Sequence, residues 1–156
     1  DWIVNDAAQC YVNKNADPAK GKVGGMFPKT NALGMQVGWG GSGSATSITN
    51  GKMYQTTTLP KGEYQLEVSY VECNAANKAA IVLMTGNQEL PDFDKVETST
   101  PLAFCYFTRN DASADNPGVE TLNFTLNEQT EVTFGFVATF GNNTYFKIRD
   151  IKLMLK

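Results

Sequence analysis

The side chains that most often carry catalysis are scarce in this chain of 156 residues. It contains no histidine, which is the commonest general base near neutral pH and the commonest metal ligand. Its cysteines, Cys10, Cys73 and Cys105, are far apart in the sequence, so they form no C-x-x-C pair for zinc or redox exchange. Histidine-dependent nucleophilic catalysis is therefore excluded. The cysteines are expected to be small buried residues, with one bridge and one leftover thiol as the alternative.

An acidic stretch carries Glu89, Asp92, Asp94 and Glu97. Calcium takes several oxygen ligands from one flexible loop, but these residues lack the spacing of a recognised calcium loop. Two carboxylates at a suitable separation would also permit glycoside hydrolysis. A solvated surface loop is the simpler interpretation, and we predict that the protein is not an enzyme.

A glycine-rich stretch, residues 38–43 (GWGGSG), satisfies the pattern G-x-G-x-x-G. A dinucleotide site requires a strand before this pattern, a helix after it and an acidic residue about 20 positions later. None of these features is present, so the sequence predicts a flexible loop next to a tryptophan.

Trp39 within that loop offers a flat aromatic face that can stack on the apolar face of a sugar ring. A second candidate surface is the connection at residues 141–144 (GNNT), whose amide groups both donate and accept hydrogen bonds and which has an aromatic residue on each side. An ordinary core tryptophan and a tight hairpin loop are the competing interpretations. The predicted ligand-binding residues are Trp39, Asn110, Phe140, Asn142, Asn143 and Tyr145.

The elements that position these residues are predicted to be β-strands. Short segments with alternating apolar residues are separated by turn-forming clusters, which is typical of a sandwich or barrel. We predict one hairpin that joins residues 53–59 to 64–72 through a Pro-Lys-Gly turn, and a second that joins 122–126 to 132–138. Phe134 and Phe136 of the second hairpin are expected in the core.

The remaining apolar segments predict which strands are central and which loops lie at each pole of the sandwich. Residues 79–84 and 104–108 are apolar on both faces, as expected of central strands. The last strand changes phase between Ile148 and Ile151, which predicts a β-bulge. One pole then carries the Pro-Lys-Gly turn, and the other gathers the loops at 40–50, 74–78, 110–118 and 141–144.

Two stretches resemble a known family. Residues 50–64 (NGKMYQTTTLPKGEY) are similar to a stretch of galactose-binding-like jelly-roll domains, which often form the C-terminal part of Bacteroidetes surface lipoproteins. Residues 146–153 (FKIRDIKL) resemble the closing strand of the same superfamily and of several carbohydrate-binding modules. The likeness spans residues 50–156 and implies a jelly-roll sandwich of about eight antiparallel strands. It also implies a structural calcium held by Asp150 with Asn5 or Asp6. The alternative is that Asp150 pairs with a nearby cation or with backbone amides at the bulge.

Composition limits the partners of the chain. Its 13 basic and 16 acidic residues are scattered, so it lacks the basic surface that nucleic acids require. No apolar run approaches the roughly 20 residues of a membrane-spanning helix. The start at Asp1 suggests that residues 1–156 are one domain of a larger exported protein, at the cell surface as part of a lipoprotein or in the periplasm. We predict a non-catalytic carbohydrate-binding module, with a structural or protein-interaction spacer domain as the alternative.

Overall fold

The computed structural model describes residues 2–8, 10–11, 22–23, 25–27, 32–38 and 46–156. These residues form two five-stranded antiparallel sheets and one two-stranded sheet. The predicted all-β, jelly-roll sandwich is confirmed. The strands are β1 (Ile3–Val4), β2 (Cys10–Tyr11), β3 (Lys22–Val23), β4 (Gly25–Phe27), β5 (Ala32–Gln36), β6 (Ile48–Leu59), β7 (Gly62–Cys73), β8 (Ala79–Thr85), β9 (Ala103–Tyr106), β10 (Gly118–Leu126), β11 (Thr130–Phe140) and β12 (Tyr145–Leu155).

The two large sheets pack face to face. The first sheet has the strand order β1-β6-β11-β8-β9, and the second has the order β10-β7-β12-β5-β4. Strands β2 and β3 form the small sheet. Two short 3-10 helices lie at Asp6–Ala8 and Phe93–Lys95. In the described part of the chain, no helix is long and apolar enough to cross a membrane.

Alternating side chains build the core between the sheets. Strand β10 alternates buried and exposed residues along its whole length, because successive side chains of a strand point to opposite faces. At the centre, the ring of Phe107 lies 5.0 Å from that of Phe146 and 6.2 Å from that of Phe136. Phe136 is fully buried as predicted, whereas Phe134 is only partly buried.

Both predicted hairpins are wrong in their pairing. The strands exist, but β6 and β7 belong to different sheets, and so do β10 and β11. Strand β6 instead pairs with β11, and β7 pairs with β10. The turns at residues 60–61 and 127–129 therefore cross from one sheet to the other. Alternation reveals which face of a strand is buried, but it does not reveal which strand lies alongside.

The order of the remaining strands is partly as predicted. Strand β8 is an interior strand between β11 and β9, as expected. Strand β9 is not central, because it forms the edge of the first sheet and its Phe104 is exposed. The predicted bulge is confirmed by register shifts around Ile148, where Ile148 pairs with Tyr70 and Asp150 with Ser69.

A long connection, residues 86–102, covers the outer face of the first sheet. Its buried side chains Leu90 and Val96 form a second apolar cluster with residues of β8 and β11. The ammonium group of Lys52 anchors the connection, because its Nζ atom lies 2.9 Å from Asp92 and 3.3 Å from Glu89. The acidic stretch that the sequence presents as a solvated loop is thus fastened to the sheet.

Candidate ligand-binding site

Three loops meet at one pole of the sandwich, and we call them the apical loops: residues 74–78, 107–117 and 141–144. The side-chain amide of Asn74 donates to the carbonyl oxygen of Asn143 at 2.7 Å, and its Oδ1 atom accepts from the backbone N–H of Tyr145 at 2.8 Å. The backbone N–H of Ala76 donates to Oδ1 of Asn110 at 2.9 Å. The loop at 74–78 therefore links the other two.

Gly38 brings a further segment against these loops. It has a φ of 89°, a conformation that glycine adopts readily. A Cβ atom at this position would overlap the side chain of Asn143 and lie 2.9 Å from Oδ1 of Asn142. The backbone N–H of Val37 also donates to the carbonyl oxygen of Thr144 at 2.9 Å. The chain at Gly38 is therefore packed directly on the 141–144 turn.

The predicted binding residues differ in their exposure. Asn110, Asn142 and Asn143 are exposed, and Tyr145 is half-buried. Phe140 is only 4% exposed and packs edge-on against the ring of Phe146, so it supports the loop from the core side. Trp39 lies outside the described residues. The structure thus brings the three asparagines and Tyr145 to one pole and places Phe140 beneath them.

Asn74 is the residue of this region that was missed as a site residue, although its loop was expected at this pole. An asparagine directly after a strand is common in loops generally, so its type alone carries no specific signal. Its role depends on contacts with residues about 70 positions away, since both of its hydrogen bonds reach the 143–145 segment.

A buried carboxylate fixes the third apical loop. Glu120 accepts hydrogen bonds from the hydroxyl group of Tyr70 at 2.5 Å and from the backbone N–H of Thr108 at 3.0 Å. Its Oε2 atom also lies 2.9 Å from the Thr108 hydroxyl oxygen. Burial, together with the Glu120 carboxylate, raises the pKa of Tyr70 well above its ordinary value. The phenol therefore stays a proton donor, and the start of the 107–117 loop is tied to β10.

The residues predicted to hold calcium differ in their surroundings, and calcium binding stays a prediction. Oδ1 of Asn5 already accepts from the backbone N–H groups of Lys52 and Ala8, and its amide donates to the carbonyl oxygen of Asn50 in the first sheet. Asp150 lies in the second sheet, where its carboxylate is 3.6 Å from Nζ of Lys152. Asp6 is exposed. Among the described residues, no three His, Cys, Asp or Glu side chains cluster closely enough to hold a metal ion.

Comparison with known proteins identifies the class to which this architecture belongs: it is a jelly-roll domain of the type found in carbohydrate-binding modules. The chain belongs to the family described as domain of unknown function (DUF5013), whose model matches residues 1–135. No curated protein matches the chain.

Solved structures support the fold. A CBM4 structure superposes with a TM-score of 0.57 at 12% identity, covering 99% of this chain and 86% of that one. TmCBM61, solved in complex with beta-1,4-galactotriose, has a TM-score of 0.54 at 13% identity and coverages of 99% and 88%. The K3 cleaved adhesin domain of Lys-gingipain from Porphyromonas gingivalis W83 has a TM-score of 0.50 at 12% identity, with coverages of 97% and 88%. At these identities the likeness establishes the fold alone.

Proposed function

We propose that this domain is a non-catalytic carbohydrate-binding module and that its glycan contacts the apical loops. Similar sandwiches occur in CBM4 and in TmCBM61, which was solved with a galactose oligosaccharide. By the same reasoning we propose that the domain belongs to a larger exported protein at the cell surface, as part of a lipoprotein, or in the periplasm. The fold alone does not assign a ligand, so the proposal rests on the contacts and chemistry of the apical loops.

The observation that carries the proposal is the contact between Gly38 and the turn at Asn142 and Asn143. It joins two segments that the sequence singles out independently, the glycine-rich stretch and the amide-rich turn. Trp39 is the residue that follows Gly38 in the sequence. In this proposal Trp39 supplies the stacking face, and the exposed amides supply directional hydrogen bonds.

The chemistry of the apical loops suits a neutral sugar. Each asparagine side chain presents one carbonyl oxygen and two N–H donors, which matches hydroxyl groups that also donate and accept. The hydrogen bonds of Asn74 hold the 141–144 turn in place before any ligand arrives. Such preorganisation lowers the entropic cost of binding.

Other surfaces of the sandwich are less suitable for a sugar. The outer face of the first sheet is occupied by residues 86–102. On the outer face of the second sheet, Lys147 pairs with Glu72 at 2.7 Å, and Lys152 lies close to Asp150. Tyr145 projects from the apical end of that face, because Phe146 beside it points into the core. A ligand at the apex therefore reaches Tyr145 as well as the asparagines.

The test is a glycan array followed by titration of any hit. We expect Trp39→Ala to abolish detectable binding, because a single sugar held near the millimolar range has only about 4 kcal/mol of binding free energy. Asn142→Ala should cost about 0.5–1.5 kcal/mol, the net value of one exposed hydrogen bond. Asn127→Ala is the matched control, since Asn127 is exposed in the turn at the opposite pole.

Two results would contradict this proposal. If a glycan binds and the folded Trp39→Ala and Asn142→Ala variants keep full affinity, the site lies elsewhere on the domain. If the wild-type domain binds nothing on a broad array, the spacer interpretation becomes the better one. Melting curves of each variant establish that it is folded.

A further inference from the structure

The sandwich contains an apolar cleft of about 280 Å³ between its sheets, which we call the lateral cleft. Its deep wall consists of fully buried side chains that include Leu66, Leu83 and Val132. Its exposed members are Thr57 on β6 and Leu153 on β12. The cleft therefore opens between β6 and β12, on the half of the sandwich away from the apical loops. The lining residues are Trp2, Gln55, Thr57, Leu59, Leu66, Leu83, Phe124, Val132, Phe134, Ile151 and Leu153.

Both strands at the mouth of the cleft have edges that their neighbours leave uncovered. Strand β1 pairs with β6 only at Tyr54 and Met53, although β6 continues to Leu59. Strand β5 pairs with β12 only from Tyr145 to Ile148, although β12 continues to Leu155. Within the described ranges, no other strand covers these two stretches. An uncovered edge presents backbone N–H and C=O groups that a further strand can pair with.

Apolar side chains are exposed at the end of β12, beside the same mouth. Leu153 is 42% exposed and lines the cleft. Leu155, two positions further along the strand, is 65% exposed on the same face. Exposed apolar neighbours on one face of a strand are unusual on a free surface and indicate a binding role.

Trp2 shows how a strand fills this space. It directly precedes β1, and its ring lies 5.6 Å from the ring of Phe134 and 5.9 Å from that of Phe136. In the β1–β6 register, Ile3 pairs with Tyr54, so a strand that continued this ladder along Thr57 to Leu59 would point every second side chain into the cleft.

We propose that the lateral cleft binds an extended segment of a partner protein, which adds as a strand to the edge of β6 and inserts apolar side chains at alternate positions. Ladder continuity with β1 and the apolar cavity beneath it favour a polypeptide, because a small apolar molecule fills the cavity without pairing with the edge. This site is separate from the apical loops and does not depend on glycan binding.

The experiment uses a fluorescent synthetic peptide in which valine alternates with threonine and lysine caps each end. The control peptide has the same composition with its valines in one block. We expect the alternating peptide to bind at least about tenfold more tightly than the control, with a Kd below about 1 mM. Amide hydrogen exchange at alternate residues from Gln55 to Leu59 should slow when it binds, because the N–H groups that face the edge become paired.

Two neighbouring residues give a matched pair of variants. Leu153→Lys places a charge in the mouth of the cleft and should weaken peptide binding at least about tenfold. Met154→Lys changes the next residue, which points to the other face of the sheet, and should leave the affinity within about twofold. Thr57→Lys, at an exposed cleft position on β6, repeats the test if Leu153→Lys does not fold.

Three results overturn the proposal. The first is no binding of the alternating peptide below about 1 mM. The second is binding that leaves exchange at Gln55 to Leu59 unchanged, which means that a ligand occupies only the cavity. The third is a dimer, detected by light scattering, in which the edge amides of β6 are already protected from exchange without peptide. This result would mean that a second copy of the chain is the occupant.

Discussion

At the scale of single residues, the buried polar side chains of this domain have hydrogen-bond partners. Every buried side-chain nitrogen and oxygen atom in the described residues has a hydrogen-bond partner. Glu120 is the clearest case, since it is held by Tyr70 and Thr108. Because Thr108 begins the loop that carries Asn110, this buried carboxylate contributes to the shape of the apex from below.

Cys73 and Cys105 are free thiols. Burial raises the pKa of Cys73 to about 11 and that of Cys105 to about 12. The thiolate is the reactive form of cysteine. Both thiols are therefore expected to react slowly with oxidants and alkylating agents while the domain is folded.

The raised pKa of Cys73 predicts a loss of stability at alkaline pH. The folded state holds the thiol proton more tightly than the unfolded state, so this contribution is complete below pH 9 and is lost as pH rises from about 9 towards 11. The free energy of unfolding should fall by up to about 1.4 kcal/mol per pH unit from this group. Urea denaturation across this range, with a reducing agent present, should show a smaller fall for Cys73→Ala. Equal slopes for the two proteins would mean that the thiol is not protected by burial.

At the scale of secondary-structure elements, the sequence predicts which face of a strand is buried better than it predicts which strands pair. The phase change between Ile148 and Ile151 predicts the bulge, because a strand that keeps its core contacts must absorb one extra residue. The partners of β6 and β10 are not predictable in this way, since an arch between sheets and a hairpin within a sheet carry the same alternation and turn residues. Both connections reverse the chain direction, which is why the loops at 74–78, 110–118 and 141–144 were still assigned to the correct pole. Most of the predicted loop at 40–50 lies outside the described residues.

The same reasoning explains what could be predicted of the candidate site. The exposed position of Asn142 and Asn143 was predictable, because amide-rich turns occur where strands end at the surface. The buried position of Phe140 was not, because an aromatic residue at the end of a strand has the same sequence signal whether its ring faces solvent or the core. Only the packing of its ring against Phe146 shows that it faces the core.

The connection at residues 86–102 offers a test of one element. Lys52 is nearly fully buried, and its ammonium group contacts Asp92 and Glu89. Lys52→Met should favour local opening of the connection by about 1 kcal/mol, so that its amides exchange roughly fivefold faster while those of β7 and β10 do not change. Lys61→Met, at the exposed turn after β6, is the control. Unchanged exchange in the connection of Lys52→Met would show that apolar packing of Leu90 and Val96 holds it without the ion pair.

At the scale of the whole molecule, the apical loops and the lateral cleft lie on different parts of the sandwich. The turns at 60–61 and 127–129 occupy one pole and the apical loops the other. The first sheet is covered by its own connection on the outside, and the lateral cleft opens away from the apex. A glycan at the apex and a peptide in the cleft would therefore bind without competing, and saturation with one should leave the affinity for the other unchanged.

The most direct test of the central claim is an amide NMR titration of the wild-type domain with the tightest-binding oligosaccharide found on the array. We predict that the largest chemical-shift changes fall on Asn74, Asn110, Asn142 and Asn143, and that the amides of residues 61–66 at the opposite pole do not respond. If the largest changes map to the outer face of the second sheet or to the lateral cleft, or if no oligosaccharide produces changes, the assignment of glycan binding to the apical loops is contradicted.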